Sequence, residues 1–368
     1  MISLVIGDKD ASELASTIKW SGSYSQCART LSVTLAASPY DESIPVIDAS
    51  PGTPVTFAMD GQVLFSGFVA KRSRSTGAST LSVTAYDRGF YLNRCEIVRQ
   101  YKDTTPEAIA ADLCGEFGIS VGKLASTGYT MSRNFIGVTV YKAIMTAYTL
   151  ASGSTGKKYQ ARFDGENFTV VEVGANETTL VIKGGSNLQD ASYTDSIEQT
   201  YTEAVIYSKD AEEVATVENG LSSTYGVIRK VIQQAEGQEQ EARDKAAETL
   251  DENGLSQTAT VECLGNVQNI SGNTVVVQEP YTGLCGLFWI SADTHEWKNG
   301  VYYNKLTLSF REMMDEETAG SLPNGDGSAT SSKTKSSGNS SGAAKKAEAD
   351  STAGTSLSQK KWESLIDG

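Results

Sequence analysis

Two segments of this chain, RTLSVTLAAS (29–38) and STLSVTAYD (79–87), alternate apolar and polar residues with a period of two. That period puts Leu31, Val33 and Leu35 on one face of a strand, and Leu81, Val83 and Ala85 on one face of another. Between them lies VTFAMDGQVLFSGFVA (55–70), with Asp60-Gly61 separating two apolar runs. An Asp-Gly pair suits a tight hairpin because both turn positions need positive φ. The spacing predicts antiparallel β-structure over residues 1–95, with one face on a core and the other toward solvent or a partner.

Residues 96–186 change period. DTTPEAIAADLCGEFG (103–118) offers Thr104 or Thr105 as N-cap, Pro106 in the first turn, and Ile109, Leu113 and Phe117 at every fourth position. Gly115 and Gly118 mark its end. GVTVYKAIMTAYTLAS (137–152) reads as a second helix, with Tyr141, Ile144, Met145 and Tyr148 on one side. KKYQARFDGENFTVVEVG then predicts a hairpin turning around Asp164-Gly165, and TTLVIKGG a further strand. The segment is a small α+β unit. Residues 187–318 return to strands (TEAVIYSKD, YGVIRKVIQQ, QTATVECLG, NTVVVQEP, GLCGLFWIS, NKLTLSF). One helix, GQEQEARDKAAETLDENG, interrupts them, with a thin stripe of Ala242, Ala246 and Leu250 and a stop at Asn253-Gly254. Its early acids, Glu239, Glu241 and Asp244, suit the positive end of the helix dipole. NKLTLSF repeats the alternation of TLSVTL, which hints at two β-modules of similar build.

Residues 319–361 are mostly Ser, Gly, Ala, Thr and Lys. They lack the apolar surface to offset ordering entropy and read as a flexible, disordered linker. Trp362, Leu365 and Ile366 then reappear in QKKWESLIDG, a candidate anchor (362–368) that docks an aromatic into a partner. The formal net charge is −14, and the tail holds six lysines against five acids, so the acidic excess lies on the body. An acidic surface repels phosphate, which argues against sequence-independent nucleic-acid gripping and suits a wall past which DNA slides. The five cysteines, Cys27, Cys95, Cys114, Cys263 and Cys285, include no CxxC pair, and MISLVIGDKD has neither a basic leader region nor an apolar one. The expectation is a soluble protein made in a reducing cytoplasm with free thiols and no membrane insertion of its own.

The chemistry-bearing motifs are thin. His295, the one histidine in 368 residues, stands in ADTHEWKNG beside Asp293, Glu296 and Trp297. Asp293 and His295 alternate onto one side of an extended segment, but a metal site needs further ligands and no second histidine exists. The residue reads as structural, with an acid–base or metal role as the competing possibility. ASGSTGKKY (151–159) fails as a phosphate loop: Ala151 stands where the first glycine belongs, Lys158 where a hydroxyl belongs, and the order is helix, loop, strand. No GxSxG, calcium-loop or dinucleotide motif is present, and the 45 acids do not single out a glycosidase pair. YDRGFYLNR (86–94) mixes arginines with aromatics and reads as a strand end or interface rather than a nucleic-acid platform. No catalytic residue, cofactor or metal is expected.

In order along the chain, VTFAMDGQVLFSGFVA, YDRGFYLN, DTTPEAIAADLCGEFGIS and GLFWISADTHEWKNGVYYNKLTLSF resemble the baseplate hub proteins of phage tails and contractile injection particles, the late control D and XkdQ-like group. The resemblance covers roughly residues 1–318; the long tail departs from a minimal hub. It implies a mainly β fold with an α+β insertion: tube-like β-barrel domains at 1–95 and 187–318 and the small domain 96–186 between them. It also implies a homotrimer that makes a pseudo-sixfold ring, adapting a sixfold tail tube to a threefold spike. Tail tube protein, spike protein and tape-measure or other baseplate proteins would be its partners, DNA only its passing cargo, and the virion baseplate its location. The family offers no catalytic residues, which makes His295 and Trp297 a structural pair at the last hairpin. The alternative is a cell-wall-degrading enzyme carried at a tail tip.

Overall fold

A computed structural model of the chain describes residues 1–323 apart from 39, 42, 76, 78, 176–179 and 236. The described residues divide into two compact units: Met1–Asp190, Val261–Val276 and the described residues from Phe288 onward form one, and Ala191–Thr260 and Val277–Leu287 the other.

The first unit opens with antiparallel strands: β1 (Ile2–Ile6), β2 (Lys9–Asp10) and β3 (Ala15–Ser23), which no motif singled out, then β4 (Thr30–Ala36), β5 (Pro54–Met59), β6 (Gln62–Ser75) and β7 (Thr80–Asp87), where alternation and the Asp60-Gly61 turn place them. They pair antiparallel in the order β3-β4-β7-β6-β5-β1-β2. Asp60 (φ +50°) and Gly61 (φ +82°) make the two-residue turn that sets Met59 opposite Gln62. Leu31, Val33, Leu35, Leu81, Val83 and Ala85 all face inward and pack with Trp20, Phe57 and Phe65. The short helix α1 (Gly89–Leu92) follows.

The insertion runs β8 (Glu96–Thr104), α2 (Pro106–Glu116), β9 (Val121–Leu124), β10 (Met131–Thr139), α3 (Val140–Thr155), β11 (Tyr159–Asp164), β12 (Asn167–Glu172) and β13 (Val181–Lys183). Thr105 caps α2, its hydroxyl accepting from the Ala108 amide, with Pro106 in the first turn. Ile109 and Leu113 are fully buried, Gly115 is the penultimate residue of the helix, and Gly118 (φ +63°) follows the Phe117 C-cap. α3 begins at Val140, not at Gly137. Val138 and Thr139 are held in β10 opposite Ile97 and Glu96, and Thr139 then caps the helix. Tyr141, Ile144, Met145 and Tyr148 fill the core of the insertion. The β11–β12 turn falls one residue later than expected, on Gly165-Glu166, with Asp164 opposite Asn167.

After β14 (Leu188–Ser196), the second unit builds a three-stranded sheet. β15 (Glu203–Tyr207) is central, antiparallel to β16 (Glu213–Glu218); after the single turn α4 (Ser222–Tyr225), β17 (Arg229–Gln233) runs parallel to β15. Helix α5 (Glu239–Glu252) presents the expected stripe of Ala242, Ala246 and Leu250 to Ala204, Ile206 and Ile232.

The chain finishes with β18 (Ser256–Leu264), β19 (Thr274–Glu279), β20 (Leu284–Lys298) and β21 (Val301–Ser309). Asn299-Gly300 (φ +53° and +75°) turns β20 into β21 as the sequence predicts. β20 then does something no local pattern announces: it pairs antiparallel with β3, from Ala292 opposite Ser23 to Lys298 opposite Thr17. The last hairpin and the first module are thereby one sheet. No set of strand pairings among the described residues closes into a ring, and the fold is mainly β with a helix-bearing insertion.

Beyond β21 the chain straps the insertion. Met314 is buried among Cys27, Tyr141 and Tyr159. Tyr141 donates to Asp315 (2.7 Å), Lys158 pairs with Glu316, and Lys142 lies 3.7 Å from Glu317. Arg133 donates to the Ala319 carbonyl, and Ser321 and Asn134 exchange both backbone hydrogen bonds.

Candidate functional site

The segment around His295 becomes a sealed polar seam. Strand alternation carries Asp293 and His295 to the buried face of β20, while Glu296 points outward to Lys19 at 3.4 Å. Asp293 is buried, and Arg29, from the start of β4, reaches it with both terminal guanidinium nitrogens. The Ser271 amide also donates to Asp293, at 2.7 Å. Burial alone would raise the Asp293 pKa, but the charge of Arg29 and the neighbouring imidazole hold it well below the ordinary carboxylate range. The Arg29 guanidinium carbon stands over the Trp20 ring, 4.0 Å from its centroid, and the side chain passes beside Gly22. A Cβ at Gly22 would stand 2.5 Å from an Arg29 nitrogen, so that strand position has no room for a side chain.

His295 has no solvent exposure. The hydrogen-bond chain fixes its tautomer. The Asn304 side-chain oxygen accepts from the Asn266 amide (2.6 Å) and from the Asn269 side chain (2.8 Å). The Asn304 nitrogen therefore faces Nδ1 of His295 (2.9 Å) as donor, and the Tyr302 hydroxyl lies 2.6 Å from the same atom. Nδ1 accepts, so Nε2 carries the proton, 3.2 Å from Asp293. Burial lowers the His295 pKa despite Asp293, because Arg29 already neutralises that carboxylate. Trp297 stacks on Tyr302 (4.2 Å, 8°) and meets Phe57 edge-on. A neutral imidazole with no path to solvent does not exchange protons with a substrate. Among the described residues, no three His, Cys, Asp or Glu side chains gather as a metal site.

The solvent-facing candidates are elsewhere. Trp362, Leu365 and Ile366 lie outside the described residues. In YDRGFYLNR, Tyr86 stacks on Phe90 (5.5 Å, 12°), Arg94 covers Phe90 at 4.8 Å, and Phe68 meets both Phe90 and Tyr91. β6 outruns its neighbour: pairing with β5 stops at Phe68, so beyond Val69 it has β7 on one side and, among the described residues, no strand on the other. That open edge carries Lys71, Arg72 and Arg74. β14 has one neighbour, β18, and carries exposed Asp190 and Asp195. Composition gave the overall acidity; only the pairing shows that basic residues collect on one open edge and acids on another.

The strap holds a titrating group. Burial raises the Asp315 pKa to about 6, against the hydrogen bond from Tyr141. Its folded pKa exceeds the unfolded value of 3.8, so its favourable contribution is complete below pH 4 and is lost as pH rises through 6. Asp315→Asn keeps an acceptor for Tyr141 and removes the penalty. The variant is expected to be about 1–2 kcal/mol more stable than the parent at pH 8, after allowance for part exposure, and equal to it at pH 4. Melting curves of both proteins at the two pH values test this; coincident curves at pH 8 contradict it.

The YQBQ-like family model matches residues 18–309. The chain belongs to the YQBQ-like family. The group read from the motifs therefore stands. The phage-like element PBSX protein XkdQ of Bacillus subtilis (strain 168) is 25% identical over 326 residues, which is 85% of this chain and 98% of that protein. The baseplate hub protein gp44 of Escherichia phage Mu is 26% identical over 170 residues, 43% of this chain and 42% of its own. Among solved structures, the 43 kDa tail protein of prophage MuSo2 from Shewanella oneidensis superposes with a TM-score of 0.63 at 18% identity, covering 83% of this chain and 97% of its own. The YQBQ-like match takes in the β3–β4 hairpin, the insertion and the whole of the β20–β21 hairpin, so every residue of the sealed seam lies within it.

Proposed function

We propose that this YQBQ-like protein is a structural baseplate hub of a phage tail or phage-tail-like particle. Three copies make a ring that adapts a sixfold tail tube to a threefold spike and encloses the central channel. The observation that carries this reading is the β20–β3 pairing, which fuses the last hairpin to the first module as one sheet. Each chain then offers two β-modules, 1–95 and 187–318, set around the insertion 96–186, and three chains supply six. The overhang of β6 beyond Val69 is basic, and the terminal strand β14 is acidic. Opposite edges favour head-to-tail association, which closes only at a fixed copy number, and pairing hides strands that otherwise invite aggregation. The names of the relatives, a baseplate hub and phage tail proteins, agree with this. Tube, spike and tape-measure proteins are the partners, and DNA passes through an acidic lumen without being held. The linker expected at 319–361 begins only after the strap, whose Ala319 and Ser321 are bonded to the insertion; from there the tail with its anchor 362–368 ties a neighbouring component through Trp362, Leu365 and Ile366. The alternative, a wall-degrading enzyme at the tail tip, could not use His295, which is sealed.

Sedimentation of the purified chain tests the ring. The parent is expected as a trimer, alone or with tube protein; Lys71→Glu with Arg72→Glu abolishes it, and adding Asp190→Lys with Asp195→Lys restores it. A chain that stays monomeric even with tube protein supplied overturns the hub reading.

A further inference from the structure

In the first unit, α1 and the start of β4 bound a cleft of about 350 Å³. Gln26, Ala28 and Thr30 line it from one chain segment, and Tyr86, Phe90, Asn93 and Arg94 from another. Asp87 ties the two segments together: its buried carboxylate accepts from the Arg29 amide and from the Gly89 amide, both at 2.9 Å. Gly89 packs so closely that a Cβ there would stand 2.9 Å from the Ala28 backbone. The walls are therefore set before anything binds. Phe90 stacks on Tyr86 and carries the Arg94 guanidinium over its ring. Among the described residues, the side chains of Gln26, Asn93 and Arg94 make no hydrogen bond or ion pair. No acid lines the cleft, so it is aromatic and singly cationic on a chain of net charge −14.

A complementary feature stands on the turn between β19 and β20, where Tyr281 is 97% exposed. Glu279 orders that turn: its carboxylate accepts from the Tyr281 amide (3.1 Å), the Thr282 amide (2.6 Å) and the Thr282 hydroxyl. These hydrogen bonds hold the Glu279 pKa below its ordinary value, so the turn carries an anion beside a free phenol ring. A tyrosine on a pre-ordered turn loses little entropy on docking and makes a strong interface anchor. We infer that the turn bearing Glu279 and Tyr281 of one copy docks in the cleft of a second copy, with the Tyr281 ring against Tyr86 and Phe90 and the Glu279 carboxylate facing Arg94. A nucleic-acid strand is the poorer occupant, because the cleft offers one unpaired cation and the net charge of the chain repels a run of phosphates. Turn and cleft are different surfaces, so the contact is head-to-tail, the kind that generates a closed ring. The inference rests on the trimeric ring proposed above and names a contact within it.

A double-mutant cycle on the assembly of the full-length protein tests it, read by sedimentation over a concentration series. Tyr281→Ala and Arg94→Ala are each expected to raise the concentration of half-assembly by about 30-fold, which is a tenfold loss at each of three contacts. Combined, they should raise it by far less than the product of the two, because both act through the same docked turn. Tyr281→Phe keeps the ring and should stay within about threefold of the parent. Both side chains are exposed, so each variant is expected to melt with the parent. A half-assembly concentration that neither single variant moves overturns the contact and leaves the ring standing. Single effects that multiply in the double variant overturn the pairing of turn with cleft. A parent that stays monomeric even with tube protein overturns the ring reading itself, and this inference with it.

Discussion

Replacing Asp293 with alanine is expected to cost about 3–5 kcal/mol, because it strands the buried charge of Arg29 and the Ser271 amide without an acceptor. For a unit of this size that corresponds to a fall in Tm of roughly 8–15 °C. The cause is specific. The Arg29–Asp293 pair crosses from β4 to β20, and its charges have no water to fall back on. The double variant Arg29→Met with Asp293→Leu removes both charges and fills the space with apolar atoms. It is expected to melt well above Asp293→Ala, since no ion is left unpaired. A single variant that melts within 2 °C of the parent would show that the seam tolerates an orphaned guanidinium, and the account given for His295 would fall with it.

The second large effect belongs to Trp297. Its ring lies between Tyr302 at 4.2 Å and Phe57 at 4.8 Å, so one side chain joins the β20–β21 hairpin to the core of the first module. Trp297→Ala leaves a cavity at that join and is expected to cost about 3–5 kcal/mol. Amide exchange should localise the damage to β20, β21 and β3 and spare the second unit, whose α5 core contains none of these residues. Uniform loss of protection across both units, or none, would contradict the role assigned to the ring. Trp297→Phe retains the contact with Phe57 and should recover part of the loss.

The seam exists because a long strand that bridges two parts of the chain must fix its register, and a slip of one residue would turn Asp293 and His295 outward and Glu296 into the core. The pairing of Arg29 with Asp293 and the tilted ring contact of Trp20 with His295 (4.7 Å, 47°) each hold in one register only. Stiffness of this kind suits an adaptor, for which geometry is the function.

Local order was legible because it is encoded locally. The alternation in 29–38 and 79–87 places each core residue of β4 and β7, and the Asp60-Gly61 and Asn299-Gly300 turns follow from the need for positive φ. The helix stripes Ile109/Leu113, Tyr141/Ile144/Met145/Tyr148 and Ala242/Ala246/Leu250 are buried as their spacing requires. Where reading failed by a residue or two, a tertiary contact decided. Val138 and Thr139 extend β10, past a bulge at Gly137, because β8 is there to pair with them.

By itself, then, the sequence determined the three longer helices, the strands with clean alternation or turn signals, which of their faces are apolar, and that Asp293 and His295 share a side; β3, β8, β10 and β14 carry no such signal. Periodicity and turn chemistry act over a few residues and are written in the chain. Only the tertiary structure decided that β20 lies against β3, that Arg29 meets Asp293 across 264 residues of sequence, and that the overhang of β6 and the terminal strand β14 carry opposite charge. Those pairings depend on which strand edges remain unsatisfied once the local elements have formed. That is a property of the whole assembled chain, and no window of sequence contains it.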